Sequence, residues 1–190
     1  MLKLERKQGA SGGYAEPADF CRVFKNEMKS LYLLAFLLTA NHVKAEWCFL
    51  AAFADAGKET SVFEESASPW SRRAIIAHAT RLTAPVSSHA SKTSDLWDDT
   101  KGDSVASDVI DRLVQLSPLE RFGYVLSVLE HYSDAECAAL IGCTRAQVMQ
   151  ARLGALERLA SVMLRPMLVE ERRPLHHQNE RAASAPSAAA

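Results

Sequence analysis

From Asp19 to about Ala56 the apolar residues return every three or four positions, the period of an α-helix with one covered face. Phe20, Val23 and Phe24 come first, then Met28, Leu31, Ala35 and Leu38, then Val43, Trp47, Leu50 and Ala54, and each group predicts the inward side of a helix. Asn41 separates the last two groups, so a break there gives two antiparallel helices joined by a short turn. A polar stretch, "AGKETSVFEESAS", precedes "PWSRRAIIAHATRL", where Pro69 is placed to start a helix that buries Trp70, Ala74, Ala77 and Leu82 and turns Arg72, Arg73 and Arg81 to solvent. Pro85 closes this block. The following "VSSHASKTSDLWDDTKGDSVASD" has no apolar period and predicts a connector, although Trp97 is large enough to dock on a neighbouring helix.

Periodicity resumes near residue 116, now with helix-start signals of unusual density. Ser117 with Glu120, Ser133 with Glu136 and Thr144 with Gln147 each set a hydroxyl three residues ahead of an acid or amide, the pairing that satisfies free N–H groups at a helix start. Pro118 adds a first-turn proline, whose missing N–H costs nothing there. Gly142 can take positive φ, and with Cys143 it makes a corner too short for antiparallel helices, which predicts a helix-turn-helix. Phe122, Val125, Leu126 and Leu129, then Ala138 and Ile141, then Val148, Ala155 and Leu159 form the shared core of three helices. Met149, Leu153 and Leu156 make an additional apolar stripe on the last one. Such a stripe predicts either packing against the N-terminal unit or the connector, or a surface for a partner.

The expected fold is therefore all-α: a flexible leader over 1–18, a helical domain over 19–84, an acidic linker over 85–112, a helix-turn-helix domain over 113–166 and a disordered tail over 167–190. Between residues 84 and 116, six aspartates oppose Lys92, Lys101 and Arg112, which makes the linker acidic. Across 190 residues, 48% are hydrophobic and 24% charged, an ordinary balance for a globular chain. The run "LYLLAFLLTA" is about half the length of a bilayer span and no apolar stretch follows the basic N-terminus, so a cytoplasmic protein without membrane insertion is expected.

Catalytic and metal chemistry find little footing. Cys21, Cys48, Cys137 and Cys143 fit no CxxC pattern and fall at apolar or turn positions, and His131, Cys137 and Cys143 match no common ligand spacing. His176 and His177 lie in the tail. The serines are caps or linker residues without a base and an orienting group, and "GASGG" lacks the lysine of a phosphate loop. No enzyme, metal or cofactor is expected.

The ordered set of these segments resembles a bacterial RNA polymerase sigma factor of the extracytoplasmic-function class. "LYLLAFLLTANHVKAEWCFLAAF", residues 31–53, is similar to the helical hairpin of sigma region two, and "PWSRRAIIAHATRL" resembles the promoter-facing helix that follows it. "LSPLERFGYVLSVLEHYSDAECAALIGCTRAQVMQARLGALERLA", residues 116–160, resembles region four throughout. The resemblance implies a non-enzymatic subunit that joins core RNA polymerase, opens promoter DNA through its first domain and reads an upstream element through its second, with an anti-sigma factor as a further partner. It implies polymerase contact around Glu46, Trp47 and Leu50, melted-strand contact through the loop before Pro69 with Arg72 and Arg73, base reading by Arg145, Gln147 and Gln150, and phosphate contact by Arg152 and Arg158. The hairpin keeps Ala45, Glu46 and Phe53 of the family pattern but carries Trp47, Leu50 and Ala51 where acids and glutamine are usual.

Within 117–160 four arginines face five acids, so the second unit has no basic excess and is expected to bind DNA weakly on its own. The same features suit an alternative, a degenerate sigma fold that binds an anti-sigma factor or a response regulator without promoter recognition.

Overall fold

The computed structural model describes residues 13–59, 61–86 and 105–170, with the side chains of 105–108 and 161–170 left aside. Eight α-helices follow one another among the described residues: α1 (Pro17–Asn26), α2 (Met28–Thr39), α3 (His42–Ala56), α4 (Ala67–Thr83), α5 (Val105–Gln115), α6 (Pro118–Tyr124), α7 (Asp134–Ile141) and α8 (Arg145–Glu170). Among them there is no strand, only an isolated antiparallel bridge between Tyr14 and Phe63. The fold is all-helical. Residues 1–12, most of the connector with Trp97, and the tail from 171 with His176 and His177 lie outside the described residues.

The N-terminal unit is built around α2. Every residue from Leu34 to Thr39 is buried, because α2 packs against α1, α3 and α4 as well as α5 and α6. Ala40 takes the left-handed conformation with φ 52°, and the Asn41 carboxamide accepts from the Lys44 N–H at 2.9 Å. These two residues make the expected hairpin turn between α2 and α3.

On α3 the structure overturns the predicted inward side. Ala45, Cys48, Ala52 and Ala56 are buried, whereas Val43, Trp47, Leu50 and Ala54 are exposed, Trp47 at 64%. The small side chains allow α3 to lie close to α2 and α4, and the bulky stripe is left outside. Met28 is likewise exposed, at the start of α2.

The entry to the fold differs too. Pro17 begins α1, and the Glu16 N–H donates to the Asp19 carboxylate at 2.9 Å, so order starts ahead of Asp19. Residues 13–15, assigned to the leader, join the loop before α4: the Ala15 N–H donates to the Val62 carbonyl at 2.6 Å and the Glu64 N–H to the Gly13 carbonyl at 3.1 Å. Helix α4 starts at Ala67, two residues before Pro69, and its buried positions are Ala67, Ser71, Ile75, Ile76 and Ala79. Trp70 is half-buried with its ring edge-on to Phe20, while Leu82, expected inside, is exposed.

In the C-terminal unit all three capping pairs form: Ser117 with Glu120, Ser133 with Glu136 and Thr144 with Gln147. Gly142 closes α7 with φ 77°, which a side chain would strain. Phe122, Val125, Leu126, Cys137, Ala138, Ile141, Val148, Ala155 and Leu159 are buried as the core of the corner. Leu129 is not. Residues Val125–Leu129 form a π-helical turn, and the Glu130 N–H reaches back five residues to the Val125 carbonyl at 3.0 Å, which rotates Leu129 off the inward side. Two further differences concern boundaries: α5 opens at Val105, inside the stretch assigned to the linker, and α8 continues to Glu170, past the start assigned to the tail.

The two units share one continuous buried cluster. Two arginines tie them. Arg121, 4% exposed, donates to the Leu38 carbonyl near the end of α2 at 3.1 Å, and to the Val114 and Leu116 carbonyls at the end of α5 at 3.2 and 3.0 Å. A cation facing two helix C-termini is favourably placed against their dipoles. Arg72 on α4 donates through Nε and a terminal nitrogen to both oxygens of Glu130, at 2.7 and 2.5 Å.

Candidate functional site

The α7–α8 corner carries the first group of candidate residues. Arg145 opens α8 and is exposed, and Gln150 lies one and a half turns further along, also exposed. Gln147 is turned back: its side-chain oxygen accepts from the Thr144 N–H at 2.9 Å and from the Thr144 hydroxyl at 3.0 Å. The cap that makes Gln147 a helix starter thus removes its oxygen from base reading.

Both arginines expected on phosphates are engaged inside the chain. Arg152 donates to Asp134 at the start of α7, at 2.6 and 3.4 Å. Arg158 donates to Glu120 at 3.0 Å, and Glu120 also accepts from the Ser117 N–H and hydroxyl. Gly154 makes room for this arrangement, since a Cβ there would stand 2.9 Å from the Glu120 carboxylate. Met149, Leu153 and Leu156 are exposed, Leu153 at 53%, so the stripe expected either to pack or to serve a partner is uncovered.

Arg72 and Arg73 separate. Arg72, expected on a melted strand, is half-buried in the bidentate pair with Glu130, with Glu27 at 3.7 Å, and the Glu130 hydrogen bonds raise its pKa further. Arg73 is exposed beside Glu136, whose carboxyl is held below its usual pKa first by the Ser133 hydrogen bonds and then by this neighbouring charge. The loop before Pro69 is pinned to residues 13–15, with Tyr14 and Phe63 stacked and exposed. That pair was not foreseen, because nothing local to Tyr14 announces a partner about fifty residues away.

The second candidate surface is the outer side of α3, where Glu46, Trp47 and Leu50 are all exposed and joined by Val43, Phe53 and Ala54. Glu46 also helps to raise the pKa of Tyr32, after burial. Cys21 is exposed, against expectation, while Cys48 and Cys137 are buried and Cys143 sits half-covered in the corner. Burial pushes the Cys48 and Cys137 thiols up to about 11. Among the described residues no three His, Cys, Asp or Glu side chains gather as a metal ion requires, and no helix is long and apolar enough to cross a membrane.

Compared with protein-family models, curated proteins and solved structures, the chain matches none.

Proposed function

We propose that the chain is a sigma-like transcription initiation factor of two helical units, associating with core RNA polymerase through the outer side of α3 and meeting promoter DNA through the outer flank of α8. One observation carries it: the capped α7–α8 corner presents Arg145 and Gln150 on a flank that the other described residues leave open. A helix held this way at the edge of a tri-helical unit suits a major groove, with residues near its start toward base edges. The ion pairs of Arg152 and Arg158 do not forbid phosphate contact. An exposed pair such as that of Arg158 is worth about 0–1 kcal/mol, so its transfer to phosphate costs little, whereas the half-buried Arg152–Asp134 pair is released less readily, and the corner is already without basic excess. DNA binding without polymerase is therefore weak.

Run-off transcription with purified core polymerase and genomic promoter fragments tests this. Within a functional complex, Arg145→Ala relaxes sequence choice and Arg158→Ala weakens binding evenly on all sequences. No complex with core polymerase at low salt refutes the proposal.

A second function is favoured by the exposed Met149, Leu153 and Leu156 beside neutralised arginines: a sigma-fold module that binds a protein regulator, such as an anti-sigma factor, without reading DNA. A pull-down returning polymerase subunits alone counts against it.

A further inference from the structure

The open flank of α8 has a regularity beyond its hydrophobicity. Ala146, Met149, Leu153, Leu156 and Ala160 are spaced three, four, three and four residues apart, and all five are exposed. This is the spacing of a coiled-coil seam, where alternate apolar positions meet those of a second helix. The helix core of the unit uses a different side, Val148, Ala151, Ala155 and Leu159, so the seam is surplus to the chain's own packing.

The flanking residues select the second helix. Arg145 and Arg152 occupy one edge of the seam, Gln150 and Glu157 the other. In a parallel pair, each edge residue faces the one five positions later on the opposite edge of its partner. Arg152, whose guanidinium also holds Asp134 of its own chain, then meets Glu157, and Arg145 meets Gln150, twice over by symmetry. In an antiparallel pair like edges meet, which sets arginine against arginine. The seam is therefore charge-complementary to itself in the parallel sense only.

We propose that two copies of this chain associate through a parallel, two-fold pairing of α8 along Ala146, Met149, Leu153, Leu156 and Ala160. Each α8 is already held by its own unit, so pairing carries no cost of folding a helix. The seam is short. An interface at the small end of the specific range gives a weak, concentration-dependent dimer. The flank that pairs is the one offered to DNA above, so the dimer and a duplex compete for it.

Sedimentation equilibrium of the full chain under reducing conditions tests the proposal, since Cys21 is exposed and must be kept from cross-linking. The wild-type chain dimerises; Leu153→Glu remains monomeric; Glu157→Arg weakens the dimer about ten-fold by opposing two arginines. Circular dichroism confirms that both variants keep the fold. In a Cys21→Ser, Cys143→Ser background, Ala146→Cys cross-links to its counterpart under mild oxidation, because only the parallel arrangement brings residue 146 of both copies together. A chain still monomeric at about 300 µM overturns the proposal. So does a dimer indifferent to Leu153→Glu, or one in which Ala146→Cys does not cross-link. The proposal does not rest on the promoter function: a chain that stays monomeric in the absence of DNA yet initiates with polymerase sinks this one alone, and a dimer that ignores polymerase sinks only the other.

Discussion

Replacing Arg121 with methionine tests what holds the two units together. The side chain is buried and satisfies three carbonyls, those of Leu38, Val114 and Leu116. Methionine fills much of the space but donates nothing. Three orphaned acceptors at about 2 kcal/mol each amount to about 6 kcal/mol. Against this, the variant no longer keeps a guanidinium out of water. Burial lowers the Arg121 pKa from its usual 12.5 to about 10, a penalty of about 3 kcal/mol that the substitution removes. The net loss is about 3 kcal/mol, a large part of what an ordinary domain has to spare. At a urea dependence of about 2 kcal/mol per molar, the midpoint falls by about 1.5 M.

The sign of the pH dependence follows from the same value. A base whose folded pKa is depressed releases its proton first in the folded state, so its stability penalty shrinks as pH rises through about 10 and is fully present below it. Between about pH 5 and pH 9 both states hold the proton, and the loss caused by Arg121→Met is flat across that range. The assay is urea unfolding followed by both far-ultraviolet circular dichroism and tryptophan fluorescence. With this tie removed and only the Arg72–Glu130 pair and the shared core joining the units, their coupling weakens and the two signals separate. A loss below about 1 kcal/mol with superimposable transitions refutes the reasoning.

Other substitutions probe neighbouring contacts. Glu130→Ala removes both hydrogen bonds to Arg72 and costs about 2 kcal/mol, seen as a fall of about 5 °C in Tm. Gly123→Ala destabilises by about 1–2 kcal/mol in the same assay, because its Cβ meets the Arg152 backbone nitrogen at 3.3 Å and Ala151 Cβ at 3.2 Å, and α8 must shift to admit it. Gly154→Ala is close to neutral: alanine favours the helix by up to about 1 kcal/mol, but its Cβ would stand 2.9 Å from the Glu120 carboxylate, which must shift against its bonds to Ser117 and Arg158. Thiol labelling at pH 8 modifies Cys21 first, and Cys48 and Cys137 react only on unfolding, since their thiols are buried and held at about 11. Rapid modification of Cys48 in the folded chain contradicts the packing of α3.

The corner was legible because its causes are local. A serine or threonine and an acid or amide three residues later specify their own hydrogen bonds, and Gly142 specifies its own φ, whatever lies elsewhere. The phase of α3 was not, because apolar residues occur all round it: size drew attention to Trp47 and Leu50, while close packing preferred Ala45, Cys48 and Ala52. Pro17 was a readable start signal that the periodicity overshadowed. For the candidate site, Arg145, Gln150 and Glu46 stand exposed, and so do Trp47 and Leu50, whose apolar spacing had placed them inward. The pairing of Arg72 with Glu130, 58 residues away, and of Arg152 with Asp134 could not be read, since charges choose partners only after the chain is folded. Likewise, no local pattern distinguishes Arg121, which is sequestered, from exposed arginines such as Arg112, Arg145 and Arg158.

The all-round covering of α2 also bears on how the polypeptide is made. Ribosomes release the chain from its first residue, and α2 emerges with α3 and α4 long before α5 and α6 exist to close over it. At about 5–20 residues per second, the roughly forty residues from Thr83 to Tyr124 keep that leucine-rich rod sticky for several seconds. A nascent chain at this stage is a client for holding chaperones, and a fragment cut after α4 is destined for inclusion bodies.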